Sequence, residues 1–231
     1  MLWLTDACLD CGMIARAFLG SKHVGGLSHV LAGAPRDLRS VFVPTAGSVY
    51  ESSPWIDARR EWLVHNGFRF DELELATSTP QDTARSLSRA DFVYVEGGNT
   101  YFLLHHMRRT GFWDALAGLE VVYAGVSAGA VVACPDIGYI QDLDDRSLVP
   151  ELVDTVGAGL VDFKILPHVD DLRVRPTIDR ILAGWPEHDA LVKLNDDQAI
   201  VVSDDSWKIV SSPAGDLVDL PLVRDREIVD E

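Results

Sequence analysis

No apolar run in this chain approaches the roughly 18 to 20 residues that a membrane-spanning helix needs, so a membrane partner is not expected. Positive charge is also scarce. Lys and Arg total 20 against 36 Asp and Glu, giving a formal net charge of −16 at pH 7. Nucleic-acid phosphates and anionic membrane surfaces are bound by basic faces, so this balance argues against both, and solubility accounts for the acidity. There are only three cysteines, Cys8, Cys11 and Cys134, an odd number that does not suggest a secreted disulfide scaffold. Cys8 and Cys11 have the CxxC spacing of a redox pair or half a zinc site, but no second CxxC or HxxxH supplies the other half, so neither metal nor cofactor is expected. The start, MLWLTDACLDCG, lacks a basic region leading into an apolar stretch, and the chain is read as cytoplasmic. No linker-like stretch divides it, so residues 1–231 are read as a single domain.

What is present is alternation. The 231 residues are 47% hydrophobic, enough for a sizeable core. SVFVPTAG (40–47) reads as a strand, and SPWIDARREWLVHNGF (53–68) as a helix with apolar periodicity through Trp55, Trp62 and Leu63, stopped at Gly67. RFDELELA reads as a strand, and TPQDTARSLSRA as a helix capped by Thr79 with Pro80 at its first position. DFVYVEGG (91–98) is a strand, NTYFLLHHMRRTGFWDALAG helical, LEVVYAGVS a strand and AGAVVAC the start of a helix. LVDFKILPH (160–168) reads as a strand, RPTIDRILAGW as a helix, and LVKLNDDQAIVVSDDSWKIVS as two or three strands. Strands alternating with helices imply parallel β-α-β units, so the expected fold is an α/β three-layer sandwich with a mostly parallel sheet. Chemistry in such folds gathers at the carboxyl ends of strands. Gly97-Gly98-Asn99, Ser127 and His168 all fall at such ends.

Gly125-Val126-Ser127-Ala128-Gly129 fits G-x-S-x-G, in which a serine sits on a sharp strand-to-helix turn and its neighbours must be small. The backbone N–H of Ala128 would then face a developing oxyanion, aided by the helix dipole. A small-residue packing junction would look similar, but strand before and helix after is the context a nucleophile requires. Of seven histidines (His23, His29, His65, His105, His106, His168, His188), His168 best suits a base, because it ends an apolar strand and follows Pro167. An orienting carboxylate follows in NDDQAIVV, where only one of Asp196 and Asp197 can face His168. The order Ser, Asp, His of the α/β-hydrolases would instead need Asp142, Asp154 or Asp162 with His168 or His188. The paired glycines of VEGGNT let backbone approach a ligand and offer further oxyanion donors, with Asn99 either capping the next helix or facing substrate. Phosphate binding there lacks GxGxxG or GxxxxGK[ST].

Together, VFVPTAG, VEGGNTYFLL, GVSAGAVVACPDI, and LPH followed by NDDQAIVV resemble the peptidase E (dipeptidase E) family of serine peptidases, whose wider relatives include cyanophycinase. The resemblance spans roughly residues 40–205 and implies a class I glutamine amidotransferase-like fold with serine in place of the cysteine nucleophile. By position it makes Ser127 the nucleophile, His168 the base and Asp196 the third member, with Gly98 and Ala128 as oxyanion-hole donors. Gly97, Asn99 and Asp142 fall in its substrate-binding neighbourhood. The family's substrates are dipeptides with an N-terminal aspartate, held by an arginine after the histidine. Arg173, Arg175 and Arg180 lie in that region without matching the family's spacing. The expected partner is thus a small peptide.

Overall fold

The computed structural model describes residues 16–186, 190–203 and 206–217. Cys8, Cys11 and His188 lie outside them. Seven strands form one sheet: β1 (Arg16–Gly20), β2 (Ser40–Val43), β3 (Phe70–Glu72), β4 (Phe92–Val95), β5 (Val122–Val126), β8 (Gln198–Ser203) and β9 (Ser206–Ser211). Their order is β3-β2-β4-β5-β1-β8-β9. The first five are parallel, while β8 runs antiparallel to β1 and β9 antiparallel to β8. Two further strands, β6 (Lys164–Leu166) and β7 (Leu191–Lys193), pair in parallel beside this sheet.

The strands are apolar on both faces because both are covered. Alternate side chains separate cleanly. Leu19, Val41, Val43, Val93, Val95 and Tyr123 enter one core, while Phe18, Phe42, Phe92, Tyr94, Ala124 and Val126 enter the other. The second core is closed by Ile56 and Leu63 of helix α2 (Pro54–His65), which follows the short α1 (Thr45–Ser48). The first core is closed by α3 (Pro80–Leu87), α4 (Thr100–Arg109), α5 (Phe112–Leu116) and α6 (Ala128–Val131). Helix α7 (Arg175–Ala183) packs Ile178 and Ile181 on Leu166 of β6. The result is the α/β sandwich expected from the alternation.

Several boundaries follow their chemistry. Helix α3 opens with a capping box between Thr79 and Asp82 and has Pro80 at its first position. The stretch read as helical after Asn99 forms two helices, α4 and α5, divided at Gly111, whose left-handed φ of 63° breaks the hydrogen-bond ladder. Trp55 does not join the core of α2, remaining 40% exposed beside the Gly97 turn. Strand β1, which sequence periodicity did not reveal, lies between β5 and β8 with four of its five residues buried.

Candidate active site

Neighbouring strands β4, β5 and β1 all end at the same edge of the sheet, and the site is assembled on those ends. Strand β5 delivers Ser127 with φ 51° and ψ −112°, after which the chain turns immediately into α6. Such backbone costs on the order of 1–3 kcal/mol for a residue with a Cβ. It is held by the Ser127 N–H donating to Gly20 O at 2.9 Å and by the Ser127 carbonyl accepting from Ala130 and Val131. The turn can be this tight because a side chain at Gly125 would collide with the Gly129 carbonyl. Among the described residues, only Ser127 and His168 (φ 62°) are non-glycine positions with positive φ. Strain is therefore concentrated at the two residues with the most chemical potential.

His168 follows β6. Its N–H donates to Ser21 Oγ at 2.8 Å, at the end of β1, which carries the ring across to Ser127. The ring's Nε2 lies 2.9 Å from Ser127 Oγ, and its Nδ1 lies 2.7 Å from Asp196 Oδ1. Asp196 is placed by the antiparallel return of β8 along β1. Its carbonyl accepts from His23 N–H at 3.0 Å, and its own N–H donates to Asp170 Oδ1 at 2.8 Å. Burial pushes the Asp196 carboxyl up, but hydrogen bonds from His168 and Lys22 outweigh this and bring its pKa down to about 2. An ionised carboxylate can only accept, so Nδ1 carries the proton and Nε2 is free to accept from the serine hydroxyl. Asp197 is exposed, and it is Asp196 that meets the histidine.

Among the described residues, the N–H groups of Gly98 and Ala128 find no acceptor, leaving two donors beside the serine. Gly98 has φ 151°, and any side chain there would run into the Ala46 carbonyl. Gly97 donates its N–H to Glu96 Oε1 at 2.9 Å and accepts from Trp55 Nε1 at 3.1 Å. Asn99 is the cap of α4. It is fully buried, accepts from Phe102 N–H and donates to the Asp145 carbonyl, so both ends of its amide are occupied.

The remaining polar residues are engaged with one another. Arg173 forks onto Asp171, Arg175 bonds Asp179 one turn along α7, and exposed Asp142 faces Arg180 at 3.8 Å. The loop after the CP segment instead turns Asp144 toward the site, where it accepts from Thr100 N–H at 2.8 Å and burial holds its carboxyl above the usual range. His65 reaches Asp216, and the rings of His105 and His106 on α4 meet edge to face with centroids 4.9 Å apart. Among the described residues, no group of three or more His, Cys, Asp or Glu could hold a metal ion, and no helix is long and apolar enough to cross a membrane.

Three features were not anticipated from sequence. Lys22 donates to Asp196 Oδ2 at 2.7 Å. Glu96, buried beneath the glycine turn, pairs with Arg59 Nε at 2.8 Å. Tyr50 and Trp55 form a half-exposed aromatic pair with ring centroids 5.9 Å apart. The only signal for the first was Ser21-Lys22-His23 following a short apolar run, the same strand-end pattern that marked Ser127.

A sequence profile described as Peptidase family S51 matches residues 26–210. An uncharacterized peptidase of Listeria innocua is 35% identical over 168 residues, covering 71% of this chain and 80% of its own. A peptidase E of Nostoc is 30% identical over 130 residues, 55% of this chain and 50% of its own. Among solved structures, a Listeria monocytogenes EGD-e protein described as a candidate peptidase E superposes with a TM-score of 0.78 at 29% identity, covering 85% of this chain and 98% of that one. A peptidase from an acI-B1 actinobacterium shares the fold, with a TM-score of 0.62 at 18% identity over 87% of this chain and 89% of its own.

Proposed function

We propose that this chain, which belongs to peptidase family S51 and is a serine peptidase, hydrolyses short peptides through Ser127, His168 and Asp196. The observation that carries this reading is the unbroken line from Ser127 Oγ to His168 Nε2 at 2.9 Å and from His168 Nδ1 to Asp196 at 2.7 Å. Ser127 Oγ attacks the scissile carbonyl carbon while Nε2 removes its proton. The imidazolium so formed faces an ionised Asp196, which stabilises it. The carbonyl oxygen, now an oxyanion, receives the N–H groups of Gly98 and Ala128. Collapse breaks the C–N bond, and the imidazolium returns its proton to the leaving amine. Water then repeats the sequence on the acyl-serine, with His168 taking its proton and giving it back to Ser127.

The dipeptidase E resemblance extends the proposal to peptides with an N-terminal aspartate. Their side-chain carboxylate needs a cation near the serine. Of Arg173, Arg175 and Arg180, the first supports this reading best, since Arg173 lies close enough to Asp196 to feel its charge. Its present partner is Asp171, whose carboxylate would have to give way to the substrate's. A panel of Asp-X, Glu-X, β-aspartyl and neutral dipeptides tests this. Hydrolysis of Asp-X with KM raised at least tenfold in Arg173→Ala supports aspartyl recognition, and equal turnover of neutral dipeptides refutes it. Failure of a fluorophosphonate to form an adduct on Ser127 would refute the nucleophile itself.

A further inference from the structure

We infer that Lys22 is a positioning residue of this site: its ammonium fixes the carboxylate that orients His168 and so governs how readily His168 takes the proton of Ser127. The inference rests on the Ser127–His168–Asp196 reading above.

The two oxygens of Asp196 are shared between two cationic partners. Oδ1 meets His168 Nδ1 at 2.7 Å and Oδ2 accepts from Lys22 Nζ at 2.7 Å. Rotation of the carboxylate would break both contacts, so the pair pins its plane. Lys22 is itself held from its backbone. Its carbonyl accepts from Arg59 Nη2 at 2.9 Å, and Arg59 Nε is bound to Glu96, whose other oxygen takes the Gly97 N–H. On either side, Ser21 accepts the His168 N–H through its hydroxyl, and His23 donates its N–H to the Asp196 carbonyl. The Ser21–His23 strap thus contacts the base, the acid and, through one buried ion pair, the glycine turn.

The side chain of Lys22 is 43% exposed and that of Asp196 15%, so the bridge adds little to stability. Its consequence lies in the charge seen by His168. Asp196 favours the imidazolium, and a fixed ammonium on the opposite oxygen offsets part of that. The other charged groups around the pair come from three places. Asp170, Asp171 and Arg173 follow His168, with Arg173 tied to Asp171. His23, on the β1 side, has its pKa lowered by burial and by Lys22, with Asp196 and, least, Asp197 acting in the opposite direction. Asp144 approaches His168 from the loop that caps α4. Among the described residues, Lys22 alone places a cation in direct contact with Asp196 besides the histidine.

Removing that ammonium takes a positive charge away from the Asp196–His168 pair. Across a carboxylate, the two bonds separate the charges by roughly 6–7 Å, near enough for a unit charge to act through solvent screening and to move the acid limb of a rate profile by about 0.5–1 pH unit. The test is the rate at which a fluorophosphonate modifies Ser127, followed from pH 4.5 to 9 in the full-length protein. This reads the free enzyme's base without a substrate. Lys22→Met is expected to shift the acid limb upward by about 0.5–1 unit, with Lys22→Arg restoring the wild-type limb. An unmoved limb in Lys22→Met, or a uniform fall in rate at every pH, would overturn the inference while leaving the triad reading intact. Absence of a limb attributable to His168, seen as identical profiles for wild type and His168→Gln, would overturn the triad reading first and this inference with it.

Discussion

Replacing Asp196 by Asn probes the base through its hydrogen bonds. The amide has one accepting and one donating end, and Lys22 decides which way it lies. Its ammonium sits 2.7 Å from the position of Oδ2 and can only donate, so the amide oxygen must occupy that position. The NH2 group is then driven against His168 Nδ1, which was 2.7 Å from a carboxylate oxygen. Nδ1 must become the acceptor and the proton moves to Nε2, where it faces Ser127 Oγ across 2.9 Å and blocks removal of the hydroxyl proton. Loss of kcat by about 10³–10⁴ is the scale for a Ser–His–Asp site locked in the wrong tautomer, equivalent to about 4–5.5 kcal/mol in the barrier. The assay is turnover of the best dipeptide substrate, with fluorophosphonate labelling in parallel. Asp197→Asn should change kcat less than about twofold, because that side chain is exposed and does not meet the ring. Adding Lys22→Met to Asp196→Asn frees the amide to flip, and roughly tenfold of the activity should return. An Asp196→Asn enzyme within tenfold of wild type, or one that the second substitution does not improve, would refute the tautomer argument.

Two further outcomes concern stability. Arg59→Met leaves Glu96, only 3% exposed, without its ionic partner beneath the glycine turn; breaking such a pair costs about 3–5 kcal/mol. Thermal unfolding by circular dichroism should show a fall in Tm of several degrees, largely reversed by adding Glu96→Gln, and an unchanged Tm would refute the claim that the pair is closed to water. The carboxyl of Asp196 is lowered from 3.8 to about 2 in the folded protein, so its contribution to stability is full above pH 3.8 and is lost as pH falls through about 2. At 1.36 kcal/mol per unit that contribution is about 2 kcal/mol. Urea unfolding of wild type and Asp196→Asn should therefore differ by about this much at pH 6–7 and converge near pH 2. A gap independent of pH would contradict it.

The parts of the site that were legible in sequence are those whose chemistry restricts the residue type. A strand-to-helix turn as tight as that at Ser127 excludes side chains at Gly125, and the Gly98 backbone excludes them too, so both leave a compositional mark. His168 was legible because it ends an apolar strand, and the sandwich because strands and helices alternate. What escaped depends on contacts between distant segments. Strand β1 is five residues long, and its place beside β5 and β8 is set by partners more than 100 and 170 residues away. The roles of Lys22 and Glu96 exist only once those strand ends are side by side. Asn99 was equally suited to capping and to substrate contact, and only burial and two occupied hydrogen-bonding ends decide for the cap. Asp142 was suggested by position after the CP segment, yet the loop carries it outward to Arg180 and turns Asp144 inward, a two-residue difference that loop geometry decides.

The central claim, that Ser127 is the nucleophile in amide hydrolysis, is tested most directly by the steady-state turnover of dipeptides by Ser127→Ala, verified as folded by its melting profile. The account predicts a kcat lower by about 10⁴-fold or more. Retention of activity within tenfold of wild type would contradict it.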